Sequence, residues 1–171
     1  LISLYDYLEI KESKNFQLSI NNDEIETKDN LITKAYFLMK SLCNENSEFS
    51  FQVQKNIPIG AGLGGGSSNC ASTLIVLNRL FNLNLPDNQL LKIGLSLGSD
   101  VPFFIKGKNS FAKGRGELLE TIQREANYYL IIYPNIKIST TEAFKFYEEN
   151  KTGFPKHLKN DFEYFARKVY P

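Results

Sequence analysis

A glycine-rich stretch at residues 58–69, PIGAGLGGGSSN, constrains the fold of this chain more than any other feature. It holds five of the eleven glycines in the chain. Ordering a glycine costs roughly 0.5–1 kcal/mol more than ordering an alanine, so a simple turn gives no reason for so many. The alternating pattern at 49–54 predicts a strand before the stretch, and apolar spacing over 67–81 predicts a buried helix after it. Bare backbone and the hydroxyls of Ser67 and Ser68 at a helix N-terminus favour an anion site, most simply phosphate, over a tightly packed structural turn.

Composition limits the classes of function that the chain can have. Its 171 residues carry a net charge of +1, so no overall field attracts nucleic acid or a membrane surface. The sequence has one histidine, which disfavours a zinc site, and no apolar run of the roughly 20 residues needed to span a bilayer. Cys43 and Cys70 are expected to be reduced thiols in a cytoplasmic protein, or in a plastid-type organelle if the source is a eukaryote.

Strand and helix patterns are mixed along the chain and predict an α+β fold. The predicted helices cover 31–43, with Asn30 as N-cap, 67–81, and 86–97, with Pro86 at the first helical position and Gly98 just past the end. The predicted strands cover 4–11, 16–20, 49–54, 101–106, 110–113, 118–123 and 128–133, the first two as part of a meander. The polar stretch 148–159 is the best candidate for a linker.

Two familiar phosphate-binding loops fit the glycine stretch poorly. A nucleotide P-loop needs a lysine after its last glycine, but Gly66 is followed directly by a serine. A dinucleotide fingerprint matches literally over 60–65, and Asp87 lies near the expected distance. However, Asp87 follows a proline at a helix start, and the strand pattern at 49–54 is half polar where a parallel strand should be apolar throughout. A dinucleotide-dependent oxidoreductase is therefore the weakest of the alternatives.

A third loop matches well, because residues 58–69 resemble the central ATP-binding motif of the GHMP kinases. The triple glycine followed by Ser-Ser-Asn is similar to one branch, which phosphorylates the 2-hydroxyl of a cytidine diphosphate-linked methylerythritol in non-mevalonate isoprenoid biosynthesis. The stretches LGSDVPFF at 97–104 and FAKGRGE at 111–117 resemble two further motifs of that branch. The resemblance implies a two-layer α/β sandwich of the ribosomal protein S5 domain 2-like type. It places a GHMP N-terminal domain at 1–158 and the start of a C-terminal domain at 159–171.

The resemblance also implies roles for individual residues, with ATP and Mg²⁺ as cofactors. Asp100 would be the base that takes a proton from the substrate alcohol, although a carboxylate at this position could equally cap a turn. Thr140 and Phe144 would contact the cytidine end of the small-molecule substrate, although Phe144 could equally lie in the core. The residues assigned to ATP are Pro58, Gly60, Gly62, Leu63, Gly64, Gly65, Gly66, Ser67, Ser68, Asn69, Asn30, Leu31 and Lys55. Among these, Lys55 could instead be an ordinary solvated lysine at the end of a strand.

The family pattern is incomplete in this chain. It begins at Leu1, inside a strand pattern, without the family's N-terminal lysine motif or its Asp-Gly-Tyr-His stretch. We therefore expect a fragment of a longer protein that turns over little substrate alone and has an unpaired sheet edge. The alternatives are a processed or natively short chain, another GHMP kinase such as mevalonate or homoserine kinase, and an inactive ATP-binding module. The glycines at 64–66 and the run at 100–103 disfavour the other kinases.

Overall fold

The computed structural model describes residues 1–43, 46–136, 138–150 and 160–170. The chain divides into two compact units. The first comprises Leu1–Pro58 and Gly64–Tyr129, and the second comprises Ile59–Leu63 and Leu130–Pro171. Helices and strands are both present, so the predicted α+β class is confirmed. The expected domain boundary at residues 158 and 159 remains a prediction.

The helices and strands follow one another in an irregular order. The strands are β1 (Tyr7–Ser13), β2 (Gln17–Ile20), β3 (Glu48–Gln54), β4 (Ser110–Lys113) and β5 (Leu118–Thr121). The helices are α1 (Leu31–Ser41), α2 (Gly65–Leu80), α3 (Asp87–Leu97), α4 (Val101–Lys106), α5 (Thr140–Glu149) and α6 (Asp161–Val169). All of them except α5 and α6 belong to the first unit.

Strand β3 lies between β1 and β2 in the sheet of the first unit. It pairs antiparallel with β1, where Val53 lies opposite Leu8, and parallel with β2, where Phe51 lies opposite Leu18. The predicted meander is therefore wrong, since β1 and β2 are not neighbours. Helix α1 connects β2 to β3 and allows the two to run parallel. Every second residue of β3 from Phe49 onward is buried, so this strand has the strongest apolar face and takes the central place.

The core of the first unit lies between this sheet and helices α1 and α2. Tyr36 and Met39 of α1, Leu74 of α2 and Phe51 of β3 are almost completely buried. The ring of Phe16 stacks on that of Tyr36 with centroids 4.4 Å apart. Because α2 presents a buried face to this core, its N-terminal turn is held in a fixed position at the end of the glycine stretch.

The helix starts agree closely with the sequence patterns. Asn30 is the N-cap of α1, and its side-chain oxygen accepts a hydrogen bond from the backbone N–H of Ile32 at 2.9 Å, as predicted. Pro86 is the N-cap of α3 and not its first residue, an error of one position. Gly98 does follow α3, but its φ of −179° is extended and does not require glycine.

The predicted strand at 101–106 is wrong, because these residues form helix α4. Proline lacks only an N–H that the first helical turn leaves unpaired, so Pro102 fits there. Gly107 ends the helix with a φ of +60°, a left-handed conformation that favours glycine. An apolar run of this length does not distinguish a buried strand from a short buried helix. Val101 and Pro102 are both buried.

The predicted strands at 110–113 and 118–123 are confirmed as β4 and β5, which pair antiparallel with β5 ending at Thr121, but the predicted strand at 128–133 is wrong. Tyr128 and Leu130 are 106% and 89% exposed, and in the described part of the chain this run pairs with no strand. An apolar run becomes a strand only where another strand is available to pair with it. The linker predicted at 148–159 begins within α5, and residues 151–159 lie outside the described residues.

Candidate functional site

The N-terminus of α2 carries the main part of the predicted anion site. Gly64 is its N-cap in the left-handed conformation, with φ +69°, and the N–H of Ser68 makes the first helical hydrogen bond to the Gly64 carbonyl at 2.9 Å. The N–H groups before it have no acceptor within the helix. A β-carbon built on Gly66 would have no atom within 4 Å, so a ligand could approach the backbone there. Ser67 and Ser68 are half-buried in the same turn, and Asn69 is buried.

The preceding part of the glycine stretch belongs to the second unit. Gly60 and Gly62 have φ values of +69° and +70°, which side chains other than glycine rarely adopt. The Tyr133 hydroxyl donates a hydrogen bond to the carbonyl of Ile59 at 2.9 Å. This phenol therefore anchors the start of the left-handed glycine segment within its own unit.

Lys55 follows β3 and forms an ion pair with Asp6, which precedes β1. The two side chains are only 9% and 2% exposed, so Lys55 is not the solvated lysine that the sequence left open. The carboxylate of Asp6 also accepts hydrogen bonds from the N–H groups of Asn56 and Ile57, both at 2.8 Å. Burial alone would raise the pKa of Asp6, but these hydrogen bonds and the Lys55 ammonium outweigh it and lower the pKa.

Asp100 stands at the start of α4 with its side chain exposed to solvent. It is the N-cap residue by backbone position, yet its side chain makes no capping hydrogen bond. The alternative role of Asp100 as a turn cap thus has no hydrogen bond to support it.

Two glycines let α4 pack very closely on its neighbours. A β-carbon on Gly64 would lie 2.7 Å from the Phe104 ring, so this ring lies directly against the start of α2. A β-carbon on Gly94 of α3 would lie 2.6 Å from Ile105 and 3.0 Å from Val101. The helix that begins at Asp100 is therefore packed against both α2 and α3 without room to shift.

The turn between β4 and β5 lies against the backbone just before Asp100. Gly116 has a φ of +109°, and a β-carbon there would lie 2.9 Å from the carbonyl oxygen of Ser99. Glu117 accepts a hydrogen bond from the N–H of Arg115 at 2.7 Å and so fixes the turn. The glycine-rich motif at 111–117 therefore supports the residue next to the candidate base.

The resemblance assigns Asn30, Leu31 and Lys55 to the adenine and ribose side, and the first two of these residues lie at the start of α1. The Asn30 side chain caps α1 and also donates to the carbonyl of Glu26 at 3.3 Å. Its polar atoms are thus engaged in holding the helix start. Leu31 is the first residue of α1 and is half-buried. Any nucleotide role of these two residues stays a prediction.

Thr140 and Phe144, which the resemblance assigns to the cytidine end, both lie on α5 in the second unit. Phe144 is 56% exposed and packs edge-on against Phe162 of α6 at 4.9 Å between ring centroids. The buried residue of α5 is its neighbour Ala143, so Phe144 is not a core residue. Thr140 is exposed in the first turn of α5. One face of Phe144 and the Thr140 hydroxyl are thus available to a ligand.

The described residues contain neither a ready metal-binding cluster nor a membrane span. None of their His, Cys, Asp and Glu side chains gather in groups of three that could hold a metal ion. None of the helices in the same part of the chain has the length and apolar character needed to cross a membrane.

Sequence reasoning missed Asp6, Phe104 and Tyr133. Asp6 lies 49 positions from Lys55, and Tyr133 lies 74 positions from Ile59. A local sequence pattern cannot predict a contact between residues this far apart along the chain. Phe104 does lie in the 97–104 motif, but the sequence pattern predicts a strand there, and its contact with the start of α2 follows only from helix α4.

Comparison with known proteins gives a consistent result. Residues 30–108 match the family model of the GHMP kinases N terminal domain. The whole chain is 39% identical over 184 aligned residues to 4-diphosphocytidyl-2-C-methyl-D-erythritol kinase of Acinetobacter baylyi, and covers 66% of that protein. It is 43% identical over 154 residues to the enzyme of the same name from Prochlorococcus marinus, with 86% of this chain and 49% of that protein covered.

Solved structures agree with these relatives. A crystal structure of 4-(cytidine 5'-diphospho)-2C-methyl-D-erythritol kinase superposes with a TM-score of 0.73 at 25% identity, over 99% of this chain and 66% of that one. Homoserine kinase from Cytophaga hutchinsonii gives a TM-score of 0.52 at 15% identity, over 96% of this chain and 55% of that one, which shows a shared fold. The fold expected from the glycine motif is thereby confirmed. Where the whole of this chain aligns with a relative, it spans about two thirds of that relative's length.

Proposed function

Because this chain belongs to the GHMP kinase family, we propose that it carries the nucleotide site and the catalytic base of an ATP-dependent small-molecule kinase. The proposed substrate is 4-diphosphocytidyl-2-C-methyl-D-erythritol, phosphorylated on its 2-hydroxyl in non-mevalonate isoprenoid biosynthesis. The observation that carries the proposal is the open N-terminus of α2, against which Phe104 packs the helix that begins at Asp100. The names of the relatives supply the substrate.

The proposed nucleotide site is the glycine stretch from Pro58 to Asn69, with Asn30 and Leu31 toward the adenine and ribose and with the Lys55 ammonium beside the first turn of α2. N–H groups in the first turn of α2 would donate to phosphate oxygens, and the positive end of the helix dipole favours the charge that they carry. Open space around Gly66 supports this close approach. In phosphoryl transfer the protein mainly positions the reactants and stabilises charge, which is what such a backbone site provides.

Asp100 is proposed to act as the general base. Its carboxylate would accept the proton of the 2-hydroxyl while that oxygen bonds to the γ-phosphorus and the bond from phosphorus to the leaving ADP oxygen breaks. An exposed carboxylate without a capping hydrogen bond has its oxygens available for this transfer. Thr140 and Phe144 would hold the cytidine end, since an aromatic face stacks on any nucleobase.

Mg²⁺ belongs to the proposal and would supply charge neutralisation on the phosphates. Magnesium is commonly held by substrate phosphates, water and one or two protein oxygens, so it does not need a large acidic cluster. The half-buried hydroxyls of Ser67 and Ser68 are the protein oxygens that this chain offers in the first turn of α2. A cytoplasmic location likewise remains a prediction.

The test measures Mg-ATP consumption by the protein that the open reading frame containing this chain encodes. The cytidylated alcohol, mevalonate and homoserine are supplied in parallel. We expect turnover with the cytidylated alcohol alone. Asp100→Asn should lower kcat about 10²–10⁴-fold, the usual contribution of a general base, while Mg-ATP still binds. Asp87→Asn is the matched control, because Asp87 is also an exposed aspartate at a helix start.

Three results would contradict the proposal in different ways. Equal turnover with mevalonate or homoserine would assign another substrate within the family. Full activity of Asp100→Asn would show that Asp100 is not the general base. Binding of ATP without phosphorylation of any alcohol would leave an inactive nucleotide-binding module.

A further inference from the structure

The buried pair of Asp6 and Lys55 lies directly against the first turn of α2. A β-carbon built on Gly65, the first residue of the helix, would lie 3.0 Å from the Lys55 ammonium nitrogen. The ammonium is therefore held beside the backbone whose N–H groups form the proposed phosphate site. The same β-carbon would lie 3.0 Å from Cγ2 of Ile57, so a side chain at this position would press on both Lys55 and Ile57.

A buried ion pair is a poor way to stabilise a fold, because desolvation of the two charges offsets most of their attraction. Apolar side chains of similar volume commonly serve as well or better. The pair at Asp6 and Lys55 is nonetheless almost fully enclosed. Its location at the N-terminus of α2 gives a functional reason for the charge.

We propose that Asp6 is a positioning residue for the phosphate site, an inference that rests on the proposed function. One carboxylate oxygen, Oδ1, accepts from the N–H groups of Asn56 and Ile57 and fixes the backbone that leads into the glycine stretch. The other, Oδ2, holds the Lys55 ammonium. Asp6 thus orients a cation toward the proposed phosphate site before a nucleotide binds.

The two oxygens allow the two tasks to be separated. Asp6→Asn keeps an oxygen that can accept from the N–H groups of Asn56 and Ile57, but places a neutral amide against Lys55. Lysine has a long and flexible side chain, so without its carboxylate partner the ammonium would turn toward solvent. A binding nucleotide would then have to order the Lys55 side chain again, so the affinity for the nucleotide would fall.

A purely neutralising role of Asp6 predicts the opposite change in nucleotide affinity. If Asp6 only neutralised Lys55, it would compete with the phosphates for the same ammonium, and its removal would strengthen nucleotide binding. The two roles predict opposite signs, so one measurement distinguishes them.

The experiment measures equilibrium binding of Mg-ATP and of adenosine to the full chain. We expect Asp6→Asn and Lys55→Met each to raise the Kd for Mg-ATP about tenfold, the scale of one charge-assisted hydrogen bond, and to leave the Kd for adenosine unchanged. The double variant should bind Mg-ATP no more weakly than Lys55→Met, because Asp6 acts through Lys55. Glu9→Gln is the matched control, since Glu9 is an exposed acid that pairs with Lys11 on the same strand.

An unchanged or lower Kd for Mg-ATP in Asp6→Asn would overturn the inference, as would equal losses for ATP and adenosine. If Asp6→Asn does not fold, Lys55→Met is measured with both ligands, and an unchanged Kd for Mg-ATP in that variant would overturn the inference in the same way. Failure to phosphorylate the cytidylated alcohol while this pattern holds would overturn only the proposed reaction. No binding of Mg-ATP by the unsubstituted chain would overturn the nucleotide site and this inference together.

Discussion

Two aspartates in the first unit have opposite surroundings. Asp6 is enclosed, and its oxygens are taken up by two backbone N–H groups and an ammonium. Asp100 is exposed, and its side chain does not cap the helix that it begins. The hydrogen bonds and the ammonium around Asp6 favour its charged form, whereas the Asp100 side chain is open to solvent and to a ligand. At the residue scale, these surroundings are consistent with the two proposed roles, a positioning role for Asp6 and a general-base role for Asp100.

The lowered pKa of Asp6 predicts how stability depends on pH. A carboxyl group whose pKa is lower in the folded than in the unfolded chain stabilises the fold above the unfolded value, and this contribution is lost as pH falls through the folded value. At neutral pH Asp6→Asn should therefore lower the free energy of unfolding by about 3 kcal/mol. The difference from the unsubstituted chain should shrink as pH falls below the ordinary value of 3.8.

Urea unfolding at a series of pH values measures this difference. Glu9→Gln is the control, because its exposed ion pair should contribute less than about 1 kcal/mol at any pH. A difference between Asp6→Asn and the unsubstituted chain that stays constant from neutral to acid pH would mean that the charge of Asp6 does not stabilise the fold.

Helix α4 is the element on which the candidate site depends most. It begins at the proposed base, contacts α2 through Phe104 and contacts α3 through Ile105 and Val101. In the described part of the chain, a third support comes from Gly116 in the β4–β5 turn, which touches Ser99. A helix this short has little stability of its own, so its position comes from these contacts.

Gly94→Ala tests the packing of α3 on α4. Alanine favours a helix by about 1 kcal/mol over glycine, so helix propensity alone predicts stabilisation. We expect a net loss of about 1–3 kcal/mol instead, because the added methyl group overlaps Ile105 and Val101. Thermal unfolding measures the change, and Ile105→Val in the same chain should restore part of it by removing the overlapping carbon. A stabilised Gly94→Ala variant would show that the two helices separate without cost.

The same element shows where sequence reasoning succeeds and where it stops. The strand β3, the cap at Asn30 and the long helix α2 have repeating patterns or caps, and these were predicted. Helix α4 and the run at 128–133 are short apolar segments whose conformation depends on neighbours that the local pattern does not contain. The order of the sheet depends on which strand has the most buried face, a property of the whole unit.

For the candidate site, the sequence identified the glycine stretch and Asp100 through motifs. It did not identify Asp6 or Tyr133, because their partners are far away along the chain. Local motifs therefore predict candidate ligand-binding groups more readily than the groups that support them, and the binding roles themselves stay predictions.

At the scale of the whole molecule, the two units differ in how much they bury. In the first, α2 buries a stripe of six residues, Asn69, Cys70, Ala71, Thr73, Leu74 and Leu77. In the second, α5 buries Ala143, and Phe165 of α6 is also buried. Burial resists local opening, so the units should differ in local stability even though both contain regular helices.

Amide hydrogen exchange, followed by NMR or mass spectrometry, measures this difference. We expect the central amides of α2 to exchange at least about a hundredfold more slowly than those of α5, because opening α2 exposes a buried stripe and opening α5 exposes little. The amides of β3, which pair on both sides, should behave like those of α2. Equal protection of α2 and α5 would show that the second unit is as stable as the first.

The contact of Phe104 with Gly64 also has an evolutionary consequence. Neither position can change freely, because a side chain at 64 would need both a smaller residue at 104 and a left-handed backbone that side chains disfavour. Homologous sequences should therefore show covariation between these positions, with bulk at one accompanied by its loss at the other. Lineages that evolve a different acceptor alcohol should vary at the residues that contact the alcohol while this pair stays linked.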